Sequence, residues 1–150
     1  MTESNLEENE MPQDNVDRAR SMYEAFARGD VPAVLALLDT QIEWNEAENF
    51  IYADKSPYIG PQAVLEGVIM RLGGEWNGFS AVPEEILGSG DTAIAFGRYR
   101  GTYKATGNRI NAQFAHVFKF RDGKIVTFQQ YTDTAQVRDA VGRSAAAKAN

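Results

Sequence analysis

The sequence predicts an α+β domain in which helices precede a sheet. Three segments with apolar residues at helical spacing lie before Gly74, whereas from Phe79 onward apolar residues recur with a period of two. Turn signals at residues 88–91, 106–107 and 122–123 divide this second half into neighbouring strands. An antiparallel meander preceded by helices is expected to curve, with the helices packed on one of its faces.

The three predicted helices have recognisable ends. Asp14 can cap the first and Gly29 ends it, while Asp30 caps the second, whose first turn accepts Pro32. The third begins at residues 60–61, Gly-Pro, and ends at 73–74, Gly-Gly. The inward faces are Val16, Ala19, Tyr23 and Phe26, then Val34, Leu35 and Leu38, then Val64, Leu65, Val68, Ile69 and Leu72.

A short strand is predicted between the second and third helices. In the run QIEWNE alternate side chains point to opposite sides, so Ile42, Trp44 and Glu46 lie on one side. The Glu46 carboxylate is therefore expected next to apolar side chains. Residues 47–59 have no clean period, so we expect a loop there, with a short strand or helical turn as an alternative. Its aromatic residues are expected to lie over an opening.

The strongest local signal is a hairpin over residues 110–133, joined by Asp122-Gly123. A two-residue type I′ turn places Arg121 opposite Lys124, and the other pairs follow by counting. They are Phe120 with Ile125, Phe118 with Thr127, His116 with Gln129, Phe114 with Tyr131, and Ala112 with Asp133. Because cross-strand partners share a face, the single histidine lies on an apolar face with Gln129 and Tyr131 as hydrogen-bond partners.

The preceding turn extends this face to a third strand. Placing Ala105 opposite Asn108 puts Gly97 across from His116, with Tyr99 and Tyr103 on the same face as the imidazole. Simple core packing of these aromatic residues is the alternative to a ligand-binding role.

Composition excludes several classes of function. The 150 residues carry a net charge of −6, which disfavours a nucleic-acid or anionic-membrane partner. With no cysteine and one histidine, a disulfide framework, a thiol nucleophile and a histidine-rich metal site are all excluded. We therefore predict no metal and no cofactor, and a cytoplasmic protein, since the acidic N-terminus resembles no secretory signal. The expected organisation is a disordered acidic arm over 1–13, one domain over 14–141, and a flexible tail over 142–150.

Three motifs occur in an order that resembles a known family. They are Tyr-x-x-Phe-x-x-Gly-Asp over 23–30, a short strand carrying Trp44, and the closing F-x-F-x-D-G-K-I over 118–125. Over about residues 14 to 138 the chain resembles the SnoaL-like, ketosteroid isomerase-related branch of the nuclear transport factor 2-like superfamily. The resemblance implies a cone: a strongly curved antiparallel sheet wrapped around three N-terminal helices, with an apolar cavity inside.

The resemblance also implies candidate catalytic residues. Glu46 falls where ketosteroid isomerase has its catalytic carboxylate, and His116 where it has a protonated oxyanion-hole aspartate. The position of that enzyme's tyrosine falls on Met22, so this part of the pattern is missing. Asp133 is a candidate for the late acidic residue that SnoaL-type cyclases use as acid/base, although a mouth residue or a helix cap is an equal alternative. The expected substrate-binding residues are Tyr23, Trp44, Tyr99, Tyr103, Phe114, Phe118, Gln129 and Tyr131.

Two functions from different classes are compatible with these residues. In the first, the protein is a cofactor-free isomerase, lyase or cyclase in which Glu46 moves a proton next to a carbonyl and neutral His116 donates a hydrogen bond to the enolate. In the second, it is a non-catalytic module that binds a small apolar or aromatic molecule. Glu46 could instead be exposed or paired with a basic residue, and His116 could be a satisfied core residue.

The outer face of the predicted sheet suggests a homodimer. Phe96, Val126 and Phe128 share this face, and together they form an apolar patch that is costly to expose to water. The resemblance supports the same expectation, because family members often dimerise through this face.

Overall fold

The computed structural model describes residues 12–142, with helices at the start and the end and a sheet between them. The arm over 1–11 and the tail over 143–150 lie outside the described residues. The helical segments are α1 (Pro12–Ala27), α2 (Val31–Ala36), and a third helix made of α3 (Pro61–Val64), a π-helical turn (Leu65–Ile69) and α4 (Met70–Glu75), followed at the end by α5 (Thr134–Gly142).

The predicted helix boundaries are largely confirmed. Gly29 follows α1 in a left-handed conformation with φ of 72°, and the Asp30 side chain accepts a hydrogen bond of 3.2 Å from the Ala33 N–H to cap α2. The first helix begins at Pro12, two residues before the predicted cap at Asp14. Residues 12 and 13 therefore belong to the helix and not to the predicted arm.

The strands within residues 12–142 are β1 (Leu38–Asn45), β2 (Tyr58–Ile59), β3 (Trp76–Ser89), β4 (Thr92–Tyr103), β5 (Arg109–Arg121) and β6 (Lys124–Thr132). They form one sheet in the order β2-β1-β6-β5-β4-β3, which is open at both edges. The predicted α+β class, with a curved sheet around N-terminal helices, is confirmed. One strand pair differs from the prediction, because β1 runs parallel to β6. The chain between these two strands includes the third helix, which is the kind of connection a parallel pair requires.

The closing hairpin contains a β-bulge that the sequence analysis missed. Asp122 and Gly123 both have positive φ, at 53° and 77°, as a type I′ turn requires, and the first two predicted pairs are present. Lys119 then pairs with Thr127, so Val126 is an extra residue in β6. From there the predicted partners are wrong by one residue: Phe118 pairs with Phe128, His116 with Gln130, and Phe114 with Thr132.

A one-residue shift exchanges the two faces of a strand. Phe128 and Gln130 are therefore buried on the inner face, 2% and 3% exposed, whereas Tyr131 points outward and is 57% exposed. The predicted inward positions of Gln129 and Tyr131 are wrong for this reason. The predicted outer patch loses Phe128, and its exposed apolar members are Phe96 and Tyr131.

The pairing of β4 with β5 is offset by two residues from the prediction. Gly97 lies opposite Phe114, and Ala95 lies opposite His116. The connection is longer than a two-residue turn, since the Tyr103 N–H donates to the Asn108 carbonyl. An even offset leaves the faces unchanged, so Tyr99 lies on the inner face as predicted.

The segment over 47–59 packs its aromatic residues into the core. It contains a 3-10 turn (Ala53–Lys55) and the short strand β2. Phe50, Tyr52 and Tyr58 are at most 5% exposed. The Tyr52 hydroxyl donates to Glu75 and the Tyr58 hydroxyl to the Tyr52 carbonyl, which attaches this segment to the end of the third helix.

Candidate active site

A small cavity of about 60 Å³ lies between α1, the third helix and the inner face of the sheet. Its walls are mostly apolar and include Trp44, Val68 and Leu72. Hydrogen-bonding groups are concentrated in one part of the lining. They are the side chains of Tyr23, Glu46, Tyr99, His116 and Gln130.

Glu46 is a buried carboxyl group with one unpaired oxygen. It follows β1 and is 6% exposed, and its Oε2 accepts a 3.2 Å hydrogen bond from the indole N–H of Trp44. Its backbone N–H donates to Ser56 Oγ, which holds the turn after the strand. Among the described residues, Glu46 Oε1 is the single buried side-chain oxygen or nitrogen without a hydrogen-bond partner. Such an atom is a natural point of contact for a ligand.

The environment of Glu46 favours its protonated form. Burial raises the pKa of this carboxyl to about 8, against the opposing effects of the Trp44 hydrogen bond and the more distant charge of Arg71. At neutral pH most molecules therefore carry a neutral Glu46. A pKa in this range lets the same group release and accept a proton.

His116 is held between two tyrosines. The Tyr23 hydroxyl lies 2.6 Å from Nδ1 and the Tyr99 hydroxyl lies 2.5 Å from Nε2. The ring is 3% exposed, and Phe114 stacks on it with a 4.1 Å centroid distance. Burial lowers the pKa of the imidazole to about 3, so it is neutral at physiological pH.

These contacts change the role predicted for His116. The expected partners Gln129 and Tyr131 are replaced by Tyr23 and Tyr99, because of the bulge in β6. Both ring nitrogens are already occupied, so the imidazole has no free N–H for an enolate. The hypothesis that His116 itself donates to a substrate is therefore wrong for this arrangement.

Counting hydrogens identifies another donor. Neutral His116 has one N–H and the two phenols have one O–H each, which gives three hydrogens for two hydrogen bonds. One phenolic hydrogen is left over in either tautomer. If Nε2 carries the proton, it donates to Tyr99, Tyr23 donates to Nδ1, and the Tyr99 O–H is free. In the other tautomer the Tyr23 O–H is free.

Gln130 connects this network to the backbone beside Glu46. Its Oε1 accepts from the Ala47 N–H at 3.0 Å, which directs its Nε2 toward the Tyr99 hydroxyl at 2.9 Å. Sequence reasoning missed Gln130, since the counted register placed it on the outer face. Its neighbours Gln129 and Tyr131 gave no local sign of the bulge that turns Gln130 inward.

Four other predicted site residues occupy three different positions. Trp44 lines the cavity and stacks on Phe128, with 3.7 Å between the ring centroids. Phe114 and Phe118 are buried behind the lining residues. Tyr103 is half-buried and packs against Trp76, away from the cavity.

Asp133 lies outside the cavity, as do Gln129 and Tyr131. It is exposed, and its Oδ1 accepts from the Gln136 N–H at 3.1 Å at the start of α5. This is the geometry of a helix cap, the alternative considered for Asp133. The cavity therefore brings together Glu46 and His116 but not Asp133.

Two features are absent from residues 12–142. No set of three or more His, Asp or Glu side chains in this range is close enough to bind a metal ion. None of the helices in this range is long and apolar enough to span a membrane.

Comparison with known proteins gives consistent results for the fold. A family model described as SnoaL-like domain matches residues 19–128. An NTF2-like protein from Burkholderia thailandensis E264 is 36% identical, with a TM-score of 0.80 over 84% of this chain and 95% of that one. An NTF2-like protein of unknown function from Burkholderia pseudomallei K96243 is 29% identical, with a TM-score of 0.78 over 85% and 97%. No curated protein matches the chain.

A more distant structure was determined with a small molecule. TerC, co-crystallised with polyporic acid, is 21% identical to this chain, with a TM-score of 0.76 over 86% of this chain and 98% of TerC. At this identity the similarity shows the fold alone.

Proposed function

Because the chain belongs to the SnoaL-like domain family, whose fold hosts several chemistries, we propose its function from the cavity: cofactor-free proton transfer on a small apolar carbonyl compound. The observation that carries the proposal is the shared cavity of the Glu46 carboxyl and the Tyr23–His116–Tyr99 network. One group has an unpaired buried oxygen and the other has an unused phenolic hydrogen.

The proposed reaction begins with the ionised form of Glu46. Its carboxylate takes a proton from the carbon next to the carbonyl, and the C–H electron pair moves into the new carbon–carbon double bond as charge develops on oxygen. A phenolic O–H of the network donates to that oxygen. If the ketone has a carbon–carbon double bond between its β and γ carbons, Glu46 returns the proton to the γ carbon of the dienolate, which makes the reaction an isomerisation. If the β carbon carries a leaving group, the enolate expels that group with its electron pair and Glu46 gives it the proton, which makes the reaction a lyase reaction.

Tyr99 is the better candidate for the donor. Its hydroxyl accepts a hydrogen bond from Gln130 Nε2, and Oε1 of the same side chain accepts from the N–H of Ala47, the residue after Glu46. The network also explains how the site can function with Met22 at the position where ketosteroid isomerase has a tyrosine. Tyr99 supplies the hydroxyl from β4, and Gln130 fixes its orientation.

A binding module without catalysis is the second candidate. The apolar walls favour it, and the structure of TerC with polyporic acid is an example of this fold with a small organic molecule. The two candidates diverge at Glu46, because a binding protein needs a polar contact there but no proton transfer.

A substrate panel distinguishes them. Cyclic ketones, enones and epoxides are incubated with wild type, Glu46→Gln and Tyr99→Phe, with thermal shift as the binding measurement and product formation as the catalytic one. The enzyme proposal expects turnover by wild type that falls by about 10² or more in Glu46→Gln. Ligands that stabilise all three proteins equally, with no product formed by any of them, would contradict the enzyme proposal and support the binding module.

We also propose a homodimer formed through the outer face of the sheet. The exposed apolar side chains there include Phe96 at 41% and Tyr131 at 57%, with Val82 at 48%. A sedimentation experiment at micromolar concentration should show a dimer, and Phe96→Glu should weaken it. A monomeric wild-type protein under these conditions would contradict the proposed homodimer. The cytoplasmic location remains a prediction from the sequence.

A further inference from the structure

A second, larger space lies next to the inner cavity. This outer groove has a volume of about 290 Å³ and shares five lining residues with the inner cavity, so the two are adjacent. The shared residues are Phe26, Val34, Ile69, Leu72 and Phe79.

The outer groove offers a ligand almost no polar contact from side chains. Its further lining residues are Val31, Trp76 and three glycines, so no charged side chain is among them. The indole N–H of Trp76 already donates to the Tyr52 hydroxyl at 3.1 Å. The groove therefore favours an apolar group and would penalise a charged one.

The sizes of the two spaces suggest how they are used. Sites for drug-sized ligands usually enclose roughly 300 Å³ or more, and the inner cavity of about 60 Å³ is far below that. The inner cavity can therefore hold a ligand's carbonyl group and only a few of the ligand atoms next to it. The groove provides the remaining volume.

We propose that the outer groove is a second subsite, which binds the apolar tail of a ligand whose carbonyl head lies beside Glu46 and Tyr99. The expected class is a neutral, elongated ketone with an alkyl or aryl tail, rather than a compact ring. The assignment of the head group rests on the proposed function, whereas the tail site rests on the shape and lining of the groove.

Glycines at the rim keep the groove open. A Cβ added at Gly29, Gly73 or Gly78 would meet no atom within 4 Å. Gly29 and Gly78 have positive φ, at 72° and 62°, so a side chain there would be strained. Gly73 lies in α4 and does not have a positive φ. Gly73→Leu can therefore add a side chain at the rim while the helix is retained. Gly74 is equally open in the same helix but does not line the groove, which makes Gly74→Leu the matched control.

The test measures equilibrium binding of methyl ketones with increasing alkyl chain length, by calorimetry. In wild type each added methylene should tighten the dissociation constant by about fourfold until the groove is filled, the factor that corresponds to about 0.8 kcal/mol per buried methylene. Gly73→Leu should reduce the ratio between the longest and the shortest ketone by tenfold or more. Gly74→Leu should keep the wild-type ratio. Circular dichroism verifies that both variants are folded.

The outcomes separate this inference from the proposed function. Two results would overturn the tail subsite alone. In the first, short ketones bind but added methylenes do not increase the affinity. In the second, Gly73→Leu and Gly74→Leu show the same ratio of dissociation constants between the longest and the shortest ketone. A normal chain-length gain with no turnover would support the subsite and contradict the enzyme. Absence of binding by every ketone would overturn both the subsite's ligand class and the proposed reaction.

Discussion

The hydroxyl of Tyr99 lies 2.5 Å from Nε2 of His116, inside the cavity that also contains Glu46. This contact, with the one from Tyr23 to Nδ1, makes the histidine a connector between two phenols rather than a group that touches the ligand. The hydrogen that such a network can offer must come from a tyrosine. Mutations of the phenols therefore test the site more directly than mutation of the imidazole.

Tyr99→Phe removes the proposed donor with little change in volume. We expect turnover to fall by about 10²-fold or more, the usual loss for one oxyanion donor, while the protein remains folded. Tyr103→Phe is the matched control, because Tyr103 lies on the same strand outside the cavity, and it should keep wild-type turnover. Equal turnover in the two variants would show that Tyr99 is not the donor.

Tyr23→Phe tests the tautomer of the network. It leaves the buried Nδ1 of His116 without its partner, which costs about 1–3 kcal/mol in the free energy of unfolding. If Tyr99 is the donor, turnover falls less than in Tyr99→Phe. Chemical denaturation and steady-state kinetics provide the two measurements, and a larger catalytic loss in Tyr23→Phe would assign the donor to Tyr23.

Glu46 should make the stability of the protein depend on pH. Its pKa is about 8 in the folded protein and near 4.5 in an unfolded chain, so the folded state binds the proton more tightly. Below about pH 6.5 the opposite effect of His116, whose pKa is lowered from 6.5 to about 3, offsets that of Glu46. The free energy of unfolding should therefore fall as the pH rises from about 6.5 to about 8, by an amount on the order of 2 kcal/mol, and then level off. Glu46→Gln should remove this fall in urea titrations between pH 6.5 and pH 9. An unchanged slope would mean that Glu46 titrates normally.

Gln130 and Gln129 provide a test of the bulge in β6. Gln130→Leu leaves the Ala47 N–H and the Tyr99 hydroxyl without this partner, and we expect a loss of about 1–3 kcal/mol in unfolding free energy. Gln129→Leu changes a residue on the outer face and should stay within about 0.5 kcal/mol. The reverse order of the two effects would support the register without a bulge.

Gly67, in the π-helical turn (Leu65–Ile69), packs so closely against the ring of Tyr58 that a side chain would not fit there. A Cβ at Gly67 would clash with Cε1 of Tyr58, a ring that is 4% exposed. Gly67→Ala should therefore destabilise the protein by about 1–3 kcal/mol or more, as overpacking does. Gly74→Ala, in open space in α4, should be neutral or stabilising by up to about 1 kcal/mol. Thermal unfolding of both variants measures the difference.

The parts of the structure that the sequence predicted are those that local interactions determine. Gly29, Asp30 and Asp122-Gly123 end helices and form turns through their own backbone preferences, so these boundaries and the α+β class follow from the sequence. The alternation in β1 placed Trp44 and Glu46 in the cavity for the same reason. The roles of these residues are not determined by that placement.

The errors come from non-local interactions. The extra residue Val126 in β6 depends on how this strand pairs with β5, and no glycine or proline beside it reveals the bulge. That one residue decided whether Gln129 or Gln130 faces the cavity. The parallel neighbour β1 was missed as well, because its pairing with β6 depends on the path of the whole intervening chain.

Proton exchange at the substrate carbon tests the central claim most directly. A ketone that binds the cavity is placed in D₂O with the enzyme, and deuterium incorporation next to the carbonyl is followed by NMR at several pH values. Catalysis by ionised Glu46 predicts an exchange rate that rises up to about pH 8 and then levels off, and that is lost in Glu46→Gln. An exchange rate that equals the uncatalysed rate in wild type, or that is the same in wild type and Glu46→Gln, would contradict the account.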